Sequence, residues 1–312
     1  MNKSKLRLYP AAFSALTVTL ALAACSNDEP GKDPLADGPV AARVTAGISP
    51  TTRVSIDVTD KNRASFTDGD VIHVVTGNST YNYTYDGSDW SPESSPYYFE
   101  DTDPVSFQAW YADPDVKVEN NVISIDTKTQ EYDSESKWNA HDILVTPKVT
   151  TTVASPEISF TNRNAFRHIM SQITFTFKAG DGISNLDRMS KYTLKTLTTD
   201  ATFDALACTL TAGNMTGNIA VSPSCGAVIE YTCRPIILVP QDVTNGELTL
   251  EVVYNYESYT ATLALPKNAT ALAEGTHYTY TVTVSNTGLK IDNAEIADWI
   301  EEAPSNGNAT LK

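Results

Sequence analysis

Basic residues are scarce in this chain: 22 Lys and Arg stand against 38 Asp and Glu in 312 residues, a net charge of −16 at pH 7. Such a surface repels nucleic acid and anionic head groups, and no basic stripe offsets it, so nucleic acid is excluded as a partner. Histidine occurs only at positions 73, 141, 168 and 277, without an H-E-x-x-H and without two His at helical spacing. A G-x-S-x-G elbow and a phosphate-cradling glycine loop are also missing. Asp68, Asp70 and Asp86 sit near turn signals, but the calcium-loop pattern around them is absent, so they read as turn residues. The expectation is therefore no catalytic residue, no cofactor, no metal and no enzyme. Trp90, Tyr97, Tyr98, Trp110 and Tyr111 could line a sugar site, and core packing accounts for them equally well.

The chain also lacks an apolar run long enough to cross a bilayer. Its one greasy stretch, Ala11 to Ala24, holds 14 residues, where spanning takes about 20. That stretch follows Lys3, Lys5 and Arg7 and ends in Leu22-Ala23-Ala24-Cys25. A basic start, a short apolar centre and small residues before a cut site describe a secretory signal over residues 1–24. Ending on Cys makes it a lipoprotein signal, cut before Cys25, whose thiol carries the lipid. The acyl group then holds the chain on the outer membrane without crossing it. Removing 24 of 312 residues leaves 288, and losing three of 22 basic residues leaves 19 against 38, a net charge of −19.

Cysteine is sparse too. After Cys25 only Cys208, Cys225 and Cys233 remain, an odd number that forbids a fully paired framework. Cys225 and Cys233 lie eight apart and could bridge a loop in an oxidising compartment; none of the spacings binds metal.

What the chain does have is alternation. Residues 25–38 read as a tether broken by Pro30, Gly31, Pro34 and Gly38. Beyond it, Tyr81-Asn82-Tyr83-Thr84-Tyr85 alternates and runs into Asp86-Gly87, a hairpin turn signal. Ile173, Phe175 and Phe177 share one strand face. Leu248, Leu250, Val252 and Tyr254 follow the Asn245-Gly246 turn, and Tyr278, Tyr280, Val282 and Val284 repeat the pattern. A period of two buries one face of each strand and wets the other. His277 falls in register with Thr279 and Thr281, on the polar face. Helical periodicity is weak, and the best helix candidate is Ala294 to Ile300. Many short strands without intervening helices predict an all-β protein of sandwiches. A strand ends near Phe160 and a new run opens at Phe166. This places a boundary near 164, between domains spanning 39–164 and 165–312.

Five landmarks, in order, resemble a known family: Thr52-Arg53; Phe66-Thr67-Asp68-Gly69-Asp70-Val71-Ile72; Phe166-Arg167-His168 with Ser171-Gln172-Ile173; Leu272-Ala273-Glu274-Gly275-Thr276-His277-Tyr278-Thr279-Tyr280; and Ile296-Ala297-Asp298-Trp299. With the lipobox, they resemble the fimbrillin-like (Mfa-like) lipoproteins of Bacteroidetes, over nearly the whole mature chain. Ser26, Asn27, Asp28 and Glu29 resemble the surface-export signal of lipoproteins from that phylum.

The resemblance implies a subunit of a type V pilus, a surface fimbria serving adhesion or biofilm formation, built of two tandem transthyretin-like β-sandwich domains. Its partners would be other fimbrial subunits, together with a host or bacterial surface ligand. An arginine-specific protease would remove the N-terminal segment with its lipid and first strand, and a C-terminal strand of the next subunit would fill the vacated groove. In this chain Val40 to Ile48 is the expected first strand, and Arg53 the expected cut site ahead of Arg43 and Arg63. Arg43, inside the strand, is expected to be buried or paired. Residues 286–312 would supply the donor, with Leu289, Ile291, Ile296 and Ile300 as its apolar candidates, although their spacing is not a clean alternation. The alternative reading is a surface lipoprotein that binds a glycan or host protein and never polymerises.

Overall fold

The computed structural model describes residues 34–36, 38–49, 65–130, 140–297 and 299. Cys25, Arg53, Arg63 and Ile300 lie outside them. Among the described residues every regular element is a strand or a three-residue 3-10 turn.

The strands form where the alternation predicts them. In Ser171–Ala179, Ile173, Phe175 and Phe177 are fully buried; in Thr276–Ser285, Tyr278, Tyr280, Val282 and Val284 are. These two strands run parallel in register from Ser171↔Thr276 to Ala179↔Val284. Around them, Glu230–Thr232 and Ile236–Leu238 flank one side and Gly288–Ala297 forms the opposite edge. A second sheet, ordered Thr216–Val221, Met189–Thr198, Glu247–Tyr254, Glu257–Ala264, packs against it face to face. The core between them is rich in aromatic rings, with Phe175, Phe177, Tyr192 and Tyr280 in mutual contact. The Asn245-Gly246 turn forms with φ of 55° and 67°, the left-handed geometry that Asn and Gly tolerate best.

The first half is a seven-stranded sheet. Its main path runs Arg167–His168, Ile143–Val145, Val105–Ala112, Val71–Thr76, Ser79–Tyr85, Trp90–Pro92, and Val149–Thr151 pairs with Val105–Ala112. Two short pairs complete its core: Val40–Ala41 with Tyr98–Phe99, antiparallel, and Arg43–Ala46 with Glu157–Phe160, parallel.

A third core joins the halves. Val122–Asp126 pairs with Asp200–Asp204, which pairs in turn with Thr209–Ala212. Under this small sheet Trp110, Ile123, Ile125 and Ile143 meet Met170, Phe203, Ile237 and Val239. Buried Gln130 straddles the join, donating to the Ile237 carbonyl at 2.6 Å and accepting from the Ile237 amide at 2.8 Å. Residue 164 closes the 3-10 turn Asn162–Asn164; Arg167–His168 still pairs within the first-half sheet, and the second-half sheets begin at Ser171.

Candidate functional site

Two segments matter: the leading strand and the tail. The leading strand is built from residues that alternate. Ala42 and Val44 are 4% and 6% exposed and face the first-half core, with Val40, Ala46 and Ile48 packed at its margin. Ala41 and Arg43 point outward. Arg43 is exposed, which corrects the expectation that it is buried: position 43 falls on the wet side of the same alternation that buries 42 and 44. The backbone is held on both flanks. The Ala42 amide donates to the Tyr97 carbonyl at 2.8 Å and that of Arg43 to Pro156 at 2.9 Å. Gly47 donates to Phe160 at 3.0 Å, Ser49 to Phe166 at 2.8 Å, and the Phe166 amide returns a bond to Gly47 at 2.9 Å. Ile72, Val74, Phe107 and Phe166 share the strand's core, and Ile158 and Phe160 stand beside it on the paired strand, all essentially inaccessible. Lifting Val40–Ser49 would open a trench floored by these side chains and edged by the unpaired groups of Glu157–Phe160.

The tail strand Gly288–Ala297 is an edge strand, antiparallel to Thr276–Ser285. The helix expected over Ala294 to Ile300 is not there as far as Ala297: those residues pair with His277 to Tyr280 in the sheet, and Asp298 and Ile300 lie outside the described residues. Long-range pairing overrides a weak local helical preference here. The irregular spacing of the apolar candidates also has a cause. The register steps from Val282↔Ile291 to Thr281↔Asn293, so Asp292 is an extra residue, a β-bulge. It reverses the parity of the strand. Leu289 and Ile291 before it, and Ala294 and Ile296 after it, therefore all turn half-buried onto the second-half core. Thr283 hydroxyl bonds to Asp292, and Lys290 approaches it at 2.6 Å, fixing the bulge.

Past the strand, Trp299 stacks on His168, with ring centroids 4.1 Å apart and planes at 15°. His168 Nδ1 lies 2.6 Å from Asp142 Oδ2, both buried, at the edge of the third core. The tail is thus fastened at its far end to the junction of the halves. In the sequence Trp299 stands out only as the last residue of the Ile296-Ala297-Asp298-Trp299 landmark, and no local pattern ties it to His168.

The remaining titratable groups carry structural work. His73 stacks on Trp110 at 3.8 Å and meets Asn82 Oδ1 at 2.8 Å; burial lowers its pKa, and burial lowers that of His141 too. His277 is not on a wet face: it is 2% exposed, with Nε2 2.9 Å from Thr174 Oγ1. Asp70 accepts from the Thr67 amide and the Tyr111 hydroxyl, and Asp86 accepts from the Ser88 and Asp89 amides, as turn residues do. Among the described residues no cluster of three metal-ligating side chains occurs. The five aromatics are dispersed. Trp90 and Tyr111 pack on Phe66, Tyr97 on Tyr81, Phe99 and Phe107, Trp110 on His73 and Phe203, and Tyr98 is 44% exposed. Cys225 and Cys233 form no bridge; with Cys208 they are free, buried thiols. Burial pushes Cys208 and Cys225 up to about 12 and Cys233 higher still.

No curated protein matches the chain. Among solved structures, a candidate cell adhesion protein from Bacteroides uniformis is 20% identical, with a TM-score of 0.61 over 84% of this chain and 99% of that one. One from Bacteroides ovatus is 22% identical, with a TM-score of 0.63 over 85% and 99%. The tip fimbrial protein Mfa3 from Porphyromonas gingivalis, C-terminally truncated, aligns at 11% identity and a TM-score of 0.45 over 75% and 95%. For the two Bacteroides proteins, at these identities, the likeness is one of fold. The model of the fimbrillin-like family matches residues 43–299, from within the leading strand to the stacked Trp299. With that span inside it, the chain belongs to the fimbrillin-like family.

Proposed function

We propose that this chain is a structural, non-enzymatic subunit of a cell-surface fimbria, delivered as a lipoprotein through Cys25 and assembled by protease-triggered strand exchange. Family membership supports the fimbrial role, and the similar fold of candidate cell adhesion proteins agrees with it. The observation that carries the exchange step is the leading strand. It is a short stretch of two strands, Val40–Ala41 and Arg43–Ala46, and its fully inward side chains, Ala42 and Val44, complete a buried core otherwise built from later residues. A strand is the natural replacement, because strand addition satisfies the open backbone edge and the apolar trench at once. Each backbone bond contributes about 0.5–1.5 kcal/mol net, and each fully buried Val-sized side chain about 1.5–3 kcal/mol.

In this reading cleavage falls after Arg53, and the donor is the tail of another subunit, offering Leu289, Ile291, Ile296 and Ile300. Head-to-tail exchange of this kind need not close into a ring, so it grows a filament. The test is N-terminal sequencing of the mature surface protein, with SDS gels of protease-treated chain. A start at Val54 and SDS-resistant ladders that vanish on deleting residues 286–312 are expected. An acylated Cys25 on fully assembled cells, with no ladder from treated protein, would sink the exchange reading.

A further inference from the structure

The second half has one covered end and one open end. Ser171 and Thr276 start at the junction with the first half, near His168 and the third core; Ala179 and Ser285 finish at the opposite pole. Four loops meet there and are bonded together. The Ala179 amide donates to Ile229, Gly180 to Val284, Asn286 to Asp181, Leu186 to Val228 and Asn255 to Arg188. Tyr254 hydroxyl adds a bond to Asn185, and the Arg188 guanidinium one to Asn255. The Asn286 side-chain amide lies against Gly182, where a Cβ would stand 2.3 Å from its nitrogen, and Gly182 takes a φ of 78°.

These bonds tie the loops of the pole together, yet apolar side chains there are left in water. Among the described residues six large hydrophobics are exposed, and three are here: Val228 at 40%, Ile229 at 71% and Tyr256 at 99%. Tyr256 is the more telling. It occupies the tip of the hairpin between Glu247–Tyr254 and Glu257–Ala264 with φ of 69°, beside Asn255 at 50°. Glycine fits that turn position without strain, whereas a bulky side chain at positive φ is an outlier. An aromatic ring held out at a strained tip gives the folded monomer nothing.

The tail strand also begins at this pole. Asn286 and Thr287 link Ser285 to Gly288, so a tail released from its own sheet departs from the point where Asn286 is bonded to Asp181. We propose that this pole is the docking face for a second copy of this chain: the neighbour whose leading-strand trench receives the tail seats its first half against Ile229, Val228 and Tyr256. The inference rests on the strand-exchange reading above. Charge supports the choice of apolar contacts. Two copies of this acidic chain repel, but that repulsion is screened beyond about 8–10 Å at physiological salt, so short-range burial has to supply the attraction. Such a contact also holds the tail root where the donor must enter.

The test compares wild type with the double variant I229D/Y256G, both as full-length chain treated with an arginine-specific protease. Because neither side chain is in the core and Gly relieves the φ strain, the variant should melt at or slightly above wild type. A synthetic peptide of residues 286–312 should bind the treated variant as it binds treated wild type, within about twofold. Polymerisation of the variant should nevertheless slow by about tenfold or more, the scale of losing interface anchors. Equal polymerisation of variant and wild type would overturn the docking face alone. If wild type neither polymerises nor binds the peptide, strand exchange itself fails and takes the docking face with it.

Discussion

Shortening Val44 to Ala separates a strand that completes a core from one laid on a surface. Val44 is 6% exposed, paired beside Ile158 in the first-half core, while its neighbour Arg43 faces water on the same strand. Val44→Ala removes two methyl-sized groups at about 0.8 kcal/mol each, and the cavity left behind brings the loss to about 2 kcal/mol. After cleavage beyond the strand, that loss acts directly on retention of the fragment, and about 2 kcal/mol corresponds to roughly a 30-fold faster release. Arg43→Ala removes an exposed side chain and should change release by less than about threefold. The assay is the rate at which the N-terminal fragment separates from protease-treated protein, followed by chromatography. Intact chain should show the same ranking in its denaturation midpoint. Equal effects of the two substitutions, or none from Val44→Ala, would refute the placement of Ala42 and Val44 as core residues.

Trp299→Ala should free the end of the tail: losing the stack on His168 removes about 0.5–1.5 kcal/mol beyond burial, and amide exchange over 288–297 should rise several-fold while the Glu247–Tyr254 strand stays protected. Acid should destabilise the protein through His73 and His141. Burial lowers both pKa values in the folded state, so below about 6.5 the unfolded chain binds protons first and stability falls as pH drops, while it is flat above. His73→Gln should shrink that acid loss, measured as denaturation midpoints between pH 8 and 5. Cys208, Cys225 and Cys233 should resist a thiol reagent at pH 8 in the folded protein and react only after unfolding; labelling within minutes under native conditions would contradict their burial.

The all-β architecture was legible because most strands bury one face. Ile173, Phe175 and Phe177 announced a strand, and Asn245-Gly246 a turn, from local pattern alone. The family was legible from the order of landmarks. Three things were not. The Asp292 bulge made Leu289, Ile291 and Ile296 look out of phase, since alternation presumes constant parity. The face of Ser171–Ala179 that carries Gln172 and Thr174 reads as wet, yet both are buried, because hydrogen bonds can satisfy polar groups wherever a central strand is covered twice. The third core was invisible because it joins Ile123 and Ile125 to Ala201 and Phe203, segments too far apart in the chain for any local pattern to pair.

The parallel pairing of Ser171–Ala179 with Thr276–Ser285 has a mechanical meaning. Traction entering through a tail anchored at Ser285 pulls along the length of its strand. The nine paired positions beside it then resist together, sliding as one block, where a hairpin pulled open at its mouth would yield one rung at a time.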